Sequence, residues 1–267
     1  MRDELARQLT RRRTRVLLAS MVVVPLALAL IYGVRGAPEV TFGATPQLLN
    51  LADDSSLAFA VFALYMCAPL LLLAVVAAFA GDALATEASW GTLRYLLAAP
   101  IPRGRLLARK LAASLVLGLA ATVLLVGSSM LLGWIFFGWG PLQTPVGGEL
   151  AAGDALQKLL LAAAYCYLSV VPFAAIALLV ATIVDSPLGA VGTAAGIAVV
   201  AQILDVVESL GRMRVVLPTH YQLAWTDLFV DPPLPDDMSA GVLQATIYTV
   251  AATALAAWRF RRRDITS

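Results

Sequence analysis

Apolar residues run along this chain in long unbroken blocks. They do not alternate as in strands, nor form the one-sided stripes of soluble helices. Six blocks stand out, with ends set to within a few residues: Val16–Val34, Leu57–Ala80, Leu111–Gly133, Leu156–Val184, Leu188–Leu204 and Ala240–Trp258. A helix that crosses a bilayer needs roughly 20 mainly apolar residues. In lipid the backbone must satisfy its own hydrogen bonds, so each block predicts a transmembrane helix. The alternation that would mark a membrane barrel is missing. The expected fold is therefore an all-α membrane protein. Its six spans form a single transmembrane domain over residues 16–267, behind a basic lead-in at 1–15.

The polar segments between the blocks set the orientation. Suppose the N-terminus is cytoplasmic. All of the 19 Lys and Arg then fall on the inner side except Arg35, Lys158, Arg212 and Arg214. The acidic Asp53, Asp54, Asp231, Asp236 and Asp237 fall outside. Basic loops stay inside, so both termini are expected to be cytoplasmic. The first block also fits another pattern: its basic start, apolar run and Ala27-Leu28-Ala29 resemble a cleavable signal peptide.

Composition narrows the classes. The chain of 267 residues is 60% hydrophobic and 13% charged, with a mean hydropathy of +0.84. Soluble domains carry about 25% charged residues. A cytosolic enzyme, a disordered chain and a nucleic-acid partner are all excluded. Two cysteines and one histidine are too few for a disulfide framework or a multi-ligand zinc site. Cys67 and Cys166 lie inside spans and read as small apolar fillers.

In the lead-in, Leu5, Leu9 and Val16 recur near helical spacing. An amphipathic helix on the inner membrane surface fits this, and so does a solvated basic tail. Of the outer loops, the last, about Asp205–Ser239, is the longest. Its apolar first half, Val206–Leu217, suggests a re-entrant or interfacial helix. Asp185-Ser186-Pro187 predicts a tight inner hairpin, with Pro187 opening the fifth span.

The inner segment at 81–110 is the most informative stretch. Leu84, Ala88, Leu93, Leu96 and Leu97 give it an apolar side. Gly91 weakens a helix by about 1 kcal/mol relative to Ala, and Pro100 and Pro102 end the helical pattern. Arg103, Arg105, Arg109 and Lys110 lead into the third span, where they are expected to meet anionic headgroups. By pattern alone the segment suits a helix that packs on its own bundle as well as one that docks on a partner.

The spacing Glu87-(x3)-Gly91-Thr92-Leu93-(x2)-Leu96-Leu97-(x2)-Pro100-(x2)-Arg103-(x6)-Lys110 resembles the signature of ABC-2-type exporter permeases. Phe260-Arg261-Arg262-Arg263-Asp264 resembles their ending after span six. The resemblance implies the transmembrane subunit of an ABC exporter in a bacterial plasma (inner) membrane. It implies that Glu87, Gly91, Thr92, Leu93 and Arg94 form a coupling helix seated on an ATPase subunit, with Pro100 and Arg103 shaping the exit. It further implies two copies of a separate P-loop ATPase and a second, identical or homologous, permease. ATP and Mg would be bound by the ATPase, and no cofactor by this chain.

The residues agree with a division of labour. No Gly-(x4)-Gly-Lys-Ser/Thr loop occurs, so the chain has no P-loop of its own and is not expected to be an enzyme. Ser128 and Ser129 have only His220, in an outer loop, as a possible catalytic partner. No ionisable residue falls mid-span, which disfavours a proton-coupled transporter. Tyr165 and Ser169 on span four, with Thr246, Thr249 and Thr253 on span six, are candidates for a substrate route. With no charge among them, an amphipathic or lipid-like substrate is favoured. Gly189, Gly192 and Gly196 on span five, with Ala194 and Ala195, are expected to allow close helix approach. Two other functions remain open: an ATPase-independent secondary transporter or channel, and a non-transporting anchor or sensor subunit.

Overall fold

The computed structural model describes residues 2–35, 54–89, 102–143, 149–184, 186–229 and 236–262, with only the backbone at 2–3, 35, 87–89 and 103. A short helix α1 (Arg2–Thr10) bends at Arg11 into α2 (Arg12–Arg35). The second span is α3 (Ser56–Cys67), a π-helical turn at Ala68–Leu72, and α4 (Leu73–Ser89). Then follow α5 (Arg103–Phe137), α6 (Ala152–Ala181), α7 (Pro187–Asp205) and α8 (Asp236–Arg262). Six helices are long and apolar enough to cross a membrane, and they coincide with the six predicted blocks. Several extend further than the blocks: the third runs over Gly104–Phe137.

The sequence explains the boundaries. Ser55 caps α3 by accepting from the Ala58 amide at 3.2 Å. Ser186 does the same for α7 through the Gly189 amide, and Pro187 occupies the first helical position as expected. The π-turn begins where Pro69 removes a backbone donor from an otherwise continuous helix. Such turns are how a helix accommodates a missing bond. Beyond α5, Gly138 takes φ +80 and ends the helix. A two-residue antiparallel pair, β1 (Leu142–Gln143) and β2 (Glu149–Leu150), interrupts the all-α pattern outside the apolar blocks.

The second span is the hub. Within its most apolar stretch 67% is buried, against 22% for the first span and 17% for the sixth. It packs on α5, α6 and α7, while α8 leans on α6. Lipid is as apolar as leucine, so helices associate through close packing and hydrogen bonds. Small residues supply the closeness. The buried stripe of α7 is Ala190, Ala194, Ala198 and Ala201. Of the residues expected to allow close approach, Ala194 does so as part of this stripe, whereas Gly192 and Gly196 have nothing within 4 Å of a built Cβ.

A close approach of backbone to backbone lies at the far end of α5. A Cβ on Gly133 would lie 2.9 Å from the Ser56 backbone, and Ser56 Oγ donates to the Met130 carbonyl at 2.7 Å. Gly133→Val is expected to lower stability in detergent by about 1–3 kcal/mol, the usual penalty of overpacking. Gly127→Val on the same helix, with open space around it, is expected to leave the melting temperature unchanged. Comparing the two thermal transitions checks the contact.

Candidate functional site

Both ends of the described chain lie at one end of the bundle. Arg261 reaches the start of α5 near Gly104, and Trp258, Arg259 and Arg262 stand beside Thr182 and Ile183 at the end of α6. Arg262 lies over the Trp258 ring at 4.6 Å. The lead-in α1 is at the same end, and so are the end of α4 and the start of α5. This end carries the basic residues, and the signature segment leaves the bundle here.

A buried ion pair organises it. Lys110 is fully buried. Its ammonium donates to the carbonyl oxygen of Ala83 at 2.7 Å and faces Glu4 Oε1 at 3.4 Å. Glu4 also pairs with Arg7 and accepts from Gln8 Nε2 at 3.5 Å. Burial pushes the Glu4 carboxyl up, but the charges of Lys110 and Arg7 and their hydrogen bonds outweigh it and hold the pKa below the ordinary 4.5. A turn further along α5, Ser114 Oγ lies 2.9 Å from the carbonyls of both Phe79 and Lys110. Three elements are thereby tied: α1 through Glu4, α4 through Ala83 and Phe79, and α5 through Lys110 and Ser114.

A second set of contacts joins the bend after α1 to the hub. Arg11 Nη1 donates to the Asp82 carbonyl at 3.2 Å, and Arg13 Nη1 stands 3.7 Å from Asp82 Oδ1. The lead-in is thus neither a solvated tail nor a helix resting on lipid alone. It is a strap, with buried Glu4 and Gln8 turned onto the bundle. The expected role of Lys110 is corrected in the same way. It does not reach headgroups, because it points into the gap between α4 and α5. Arg105 and Arg109 stay exposed.

Of the predicted coupling residues, Glu87 sits in the last turn of α4 and Arg103 is the first residue of α5. Gly91, Thr92, Leu93, Arg94 and Pro100 lie outside the described residues. The clamp therefore holds the two helices from which the segment departs.

The candidate route residues have the following partners among the described residues. Tyr165 is buried and its hydroxyl donates to the Tyr221 carbonyl at 2.6 Å. Ser169, Thr246 and Thr249 donate to the carbonyls of Cys166, Val242 and Ala245 in their own helices. Thr253 Oγ1 is buried with no hydrogen-bond partner among the described residues. Ser128 and Ser129 bond to backbone carbonyls, and His220 Nδ1 is 2.6 Å from Asp205 Oδ1. The Ser–His arrangement is absent among the described residues.

The loop before α8 dips into the bundle, and it does so after Leu217. Val206–Leu217 is largely an exposed 3-10 stretch (Glu208–Val216) with no buried residue. The following turn inserts instead. Trp225 and Phe229 are buried, Trp225 packs edge-on against Tyr65, and Gln222 Nε2 donates to the Pro69 carbonyl at 3.3 Å. Gln202 Nε2 donates to the same carbonyl at 3.0 Å. The Pro69 carbonyl in the π-turn thus accepts from two side-chain amides, the kind of support irregular backbone at membrane depth needs.

Six apolar spans around a buried hub make the chain a helical multi-pass membrane protein. It belongs to the DUF2705 family, described as a protein of unknown function, whose pattern matches residues 48–266. The match starts ahead of α3 and takes in the whole signature segment. No curated protein matches the chain.

Replacing Glu4 by Gln is expected to cost on the order of 2–3 kcal/mol. That is toward the low end for breaking a buried pair, since Ala83 still accepts from Lys110. Adding Lys110→Met, which restores an apolar match, is expected to recover part of that loss. Melting of the single and double variants measures both. The pH dependence has a definite sign. Because the folded pKa of Glu4 is lowered, its contribution is complete above 4.5 and declines as pH falls through the lower folded value. Protection of the α1 amides from hydrogen exchange, relative to their intrinsic rates, is expected to be high at neutral pH and to fall under strong acid, and to be low at both in Glu4→Gln.

Proposed function

We propose that the chain is the transmembrane permease subunit of an ATP-driven exporter of the ABC-2 type. The observation that carries this reading is the union of the Glu87–Lys110 signature with a clamp at its two roots. A segment that transmits force needs rigid attachment. Lys110 closes the signature in sequence, and in the fold it bonds α4 and faces α1. A push on the 90–101 segment would then be delivered to the hub helix and to the third span together.

In this reading the basic end is cytoplasmic, in a bacterial plasma membrane. Glu87, Gly91, Thr92, Leu93 and Arg94 meet a separate P-loop ATPase, and Pro100 and Arg103 set the exit. Two permease copies and two ATPases form the working unit. The ATPase binds ATP and Mg, and this chain supplies the path. The substrate class is amphipathic or lipid-like, because the spans offer hydroxyls and apolar walls and no mid-span charge.

The test is affinity purification of the full chain from its native membranes, followed by identification of co-purifying P-loop ATPases. Wild type is expected to carry one in near-equal amount. Glu87→Arg with Leu93→Asp is expected to lose it at least about ten-fold, the effect of roughly 1.4 kcal/mol, while the melting temperature holds. No ATPase with wild type, in a chain that still moves solute, would favour the secondary transporter or channel. A retained partner without transport would favour an anchor or sensor subunit.

A further inference from the structure

We propose that the groove between α2, α4 and α7 at the basic end binds one anionic phospholipid of the adjacent leaflet. Its acyl chain lies along the apolar walls and its phosphate sits at Arg12 and Arg13. The groove has a volume of about 520 Å³. Val16 and Leu17 of α2 form one wall, Leu188 and Val191 of α7 the other, and Ala78 of α4 the floor. It exists because α2 packs along α5 and α7 packs on α4, so the inner halves of α2 and α7 stand apart with α4 between them. The small side chain of Ala78 deepens the floor.

The chemistry of the occupant follows from the two ends of the groove. Val16 is 66% and Leu188 81% exposed, and both belong to candidate spans. In a membrane such walls are covered by hydrocarbon. At the mouth the guanidiniums of Arg12 and Arg13 are both exposed. Arg12 makes no hydrogen bond or ion pair with any described residue, and Arg13 has only the 3.7 Å contact with Asp82. Asp82 also lines the groove and counts against an anion. Among the described lining residues it is one carboxylate against Arg12 and Arg13, with Arg11 bonded to the Asp82 backbone carbonyl. A water-soluble anion would leave the walls unused. A neutral lipid would leave the guanidiniums unmatched. A phosphate joined to an acyl chain, without a compensating ammonium, satisfies both. Basic pockets between spans on the cytoplasmic side are where anionic headgroups bind, with about 1 kcal/mol for each Arg near the surface.

The test uses the full chain in nanodiscs of phosphatidylcholine with phosphatidylglycerol, read by native mass spectrometry as lipid retained after release. Wild type is expected to keep one phosphatidylglycerol in preference to phosphatidylcholine. Arg12→Gln, which removes no contact among the described residues, is expected to lower that retention about five-fold, the equivalent of roughly 1 kcal/mol. Leu188→Gln, at an exposed wall position, is expected to lower it as well. Arg109→Gln, an exposed basic residue at the same end, is expected to change nothing. Equal losses for Arg12→Gln and Arg109→Gln would overturn the proposal in favour of a diffuse basic surface. Absence of any preference for phosphatidylglycerol would overturn it outright. Displacement by free glycerol phosphate would replace it with a site for a soluble anion.

Discussion

An ammonium removed from water and lipid headgroups alike must be given acceptors, and Lys110 imposes that demand on the basic end of the bundle. The idealised cost of burying such an ion is several kcal/mol even after relaxation. It is offset by the Ala83 carbonyl at 2.7 Å and the Glu4 carboxylate at 3.4 Å. Ala83 can accept only because α4 lies against α5 there. Glu4 can approach only because the chain bends at Arg11 and folds α1 back. Position and orientation of three helices thus follow from one charge.

The middle of the hub span answers a different demand. Pro69 brings no backbone donor to the helix, and its own carbonyl lies in the π-turn. Gln202 from α7 and Gln222 from the inserted turn bring amide donors to it. These bonds, with the burial of Trp225 and Phe229, hold the loop before α8 against α3, α6 and α8. The hub is therefore held by charge at one end and by amides near its middle.

The spans were legible because a run of about 20 apolar residues has one stable solution in a bilayer. Their caps were legible too, since Ser186-Pro187 can do little else. Which side of a helix faces which neighbour was not. Gly192 and Gly196 carry the conventional mark of a packing face, yet the alanine stripe on roughly the opposite side of α7 makes the contact (successive residues turn by about 100°). Lys110 was misread because it ends a basic run, and position in sequence hides the half-turn that points it inward. The strap escaped for a related reason. Leu5 does pack on the core, but the contact that fixes α1 is the pairing of Glu4 with Lys110, which an apolar stripe does not reveal. In the outer loop the apolar composition of Val206–Leu217 drew attention from the later turn, whose aromatic residues and glutamine match a specific hole.

The basic end contains two kinds of ion pair, and their magnitudes assign them different roles. Glu4–Lys110 is shielded, so losing either partner costs a substantial share of the stability of a bundle this size. Arg13–Asp82 has a 70% exposed arginine at 3.7 Å. Such pairs contribute roughly 0–1 kcal/mol and weaken with salt. The strap's inner half is therefore fixed, while its outer half, around Arg11–Arg13, can exchange one anionic partner for another at little cost. An anionic headgroup competes with Asp82 for Arg13 on nearly equal terms, and it does so without touching the buried pair. Composition of the adjacent leaflet can thus reach the bend between α1 and α2 while the attachment of α4 to α5 stays unchanged.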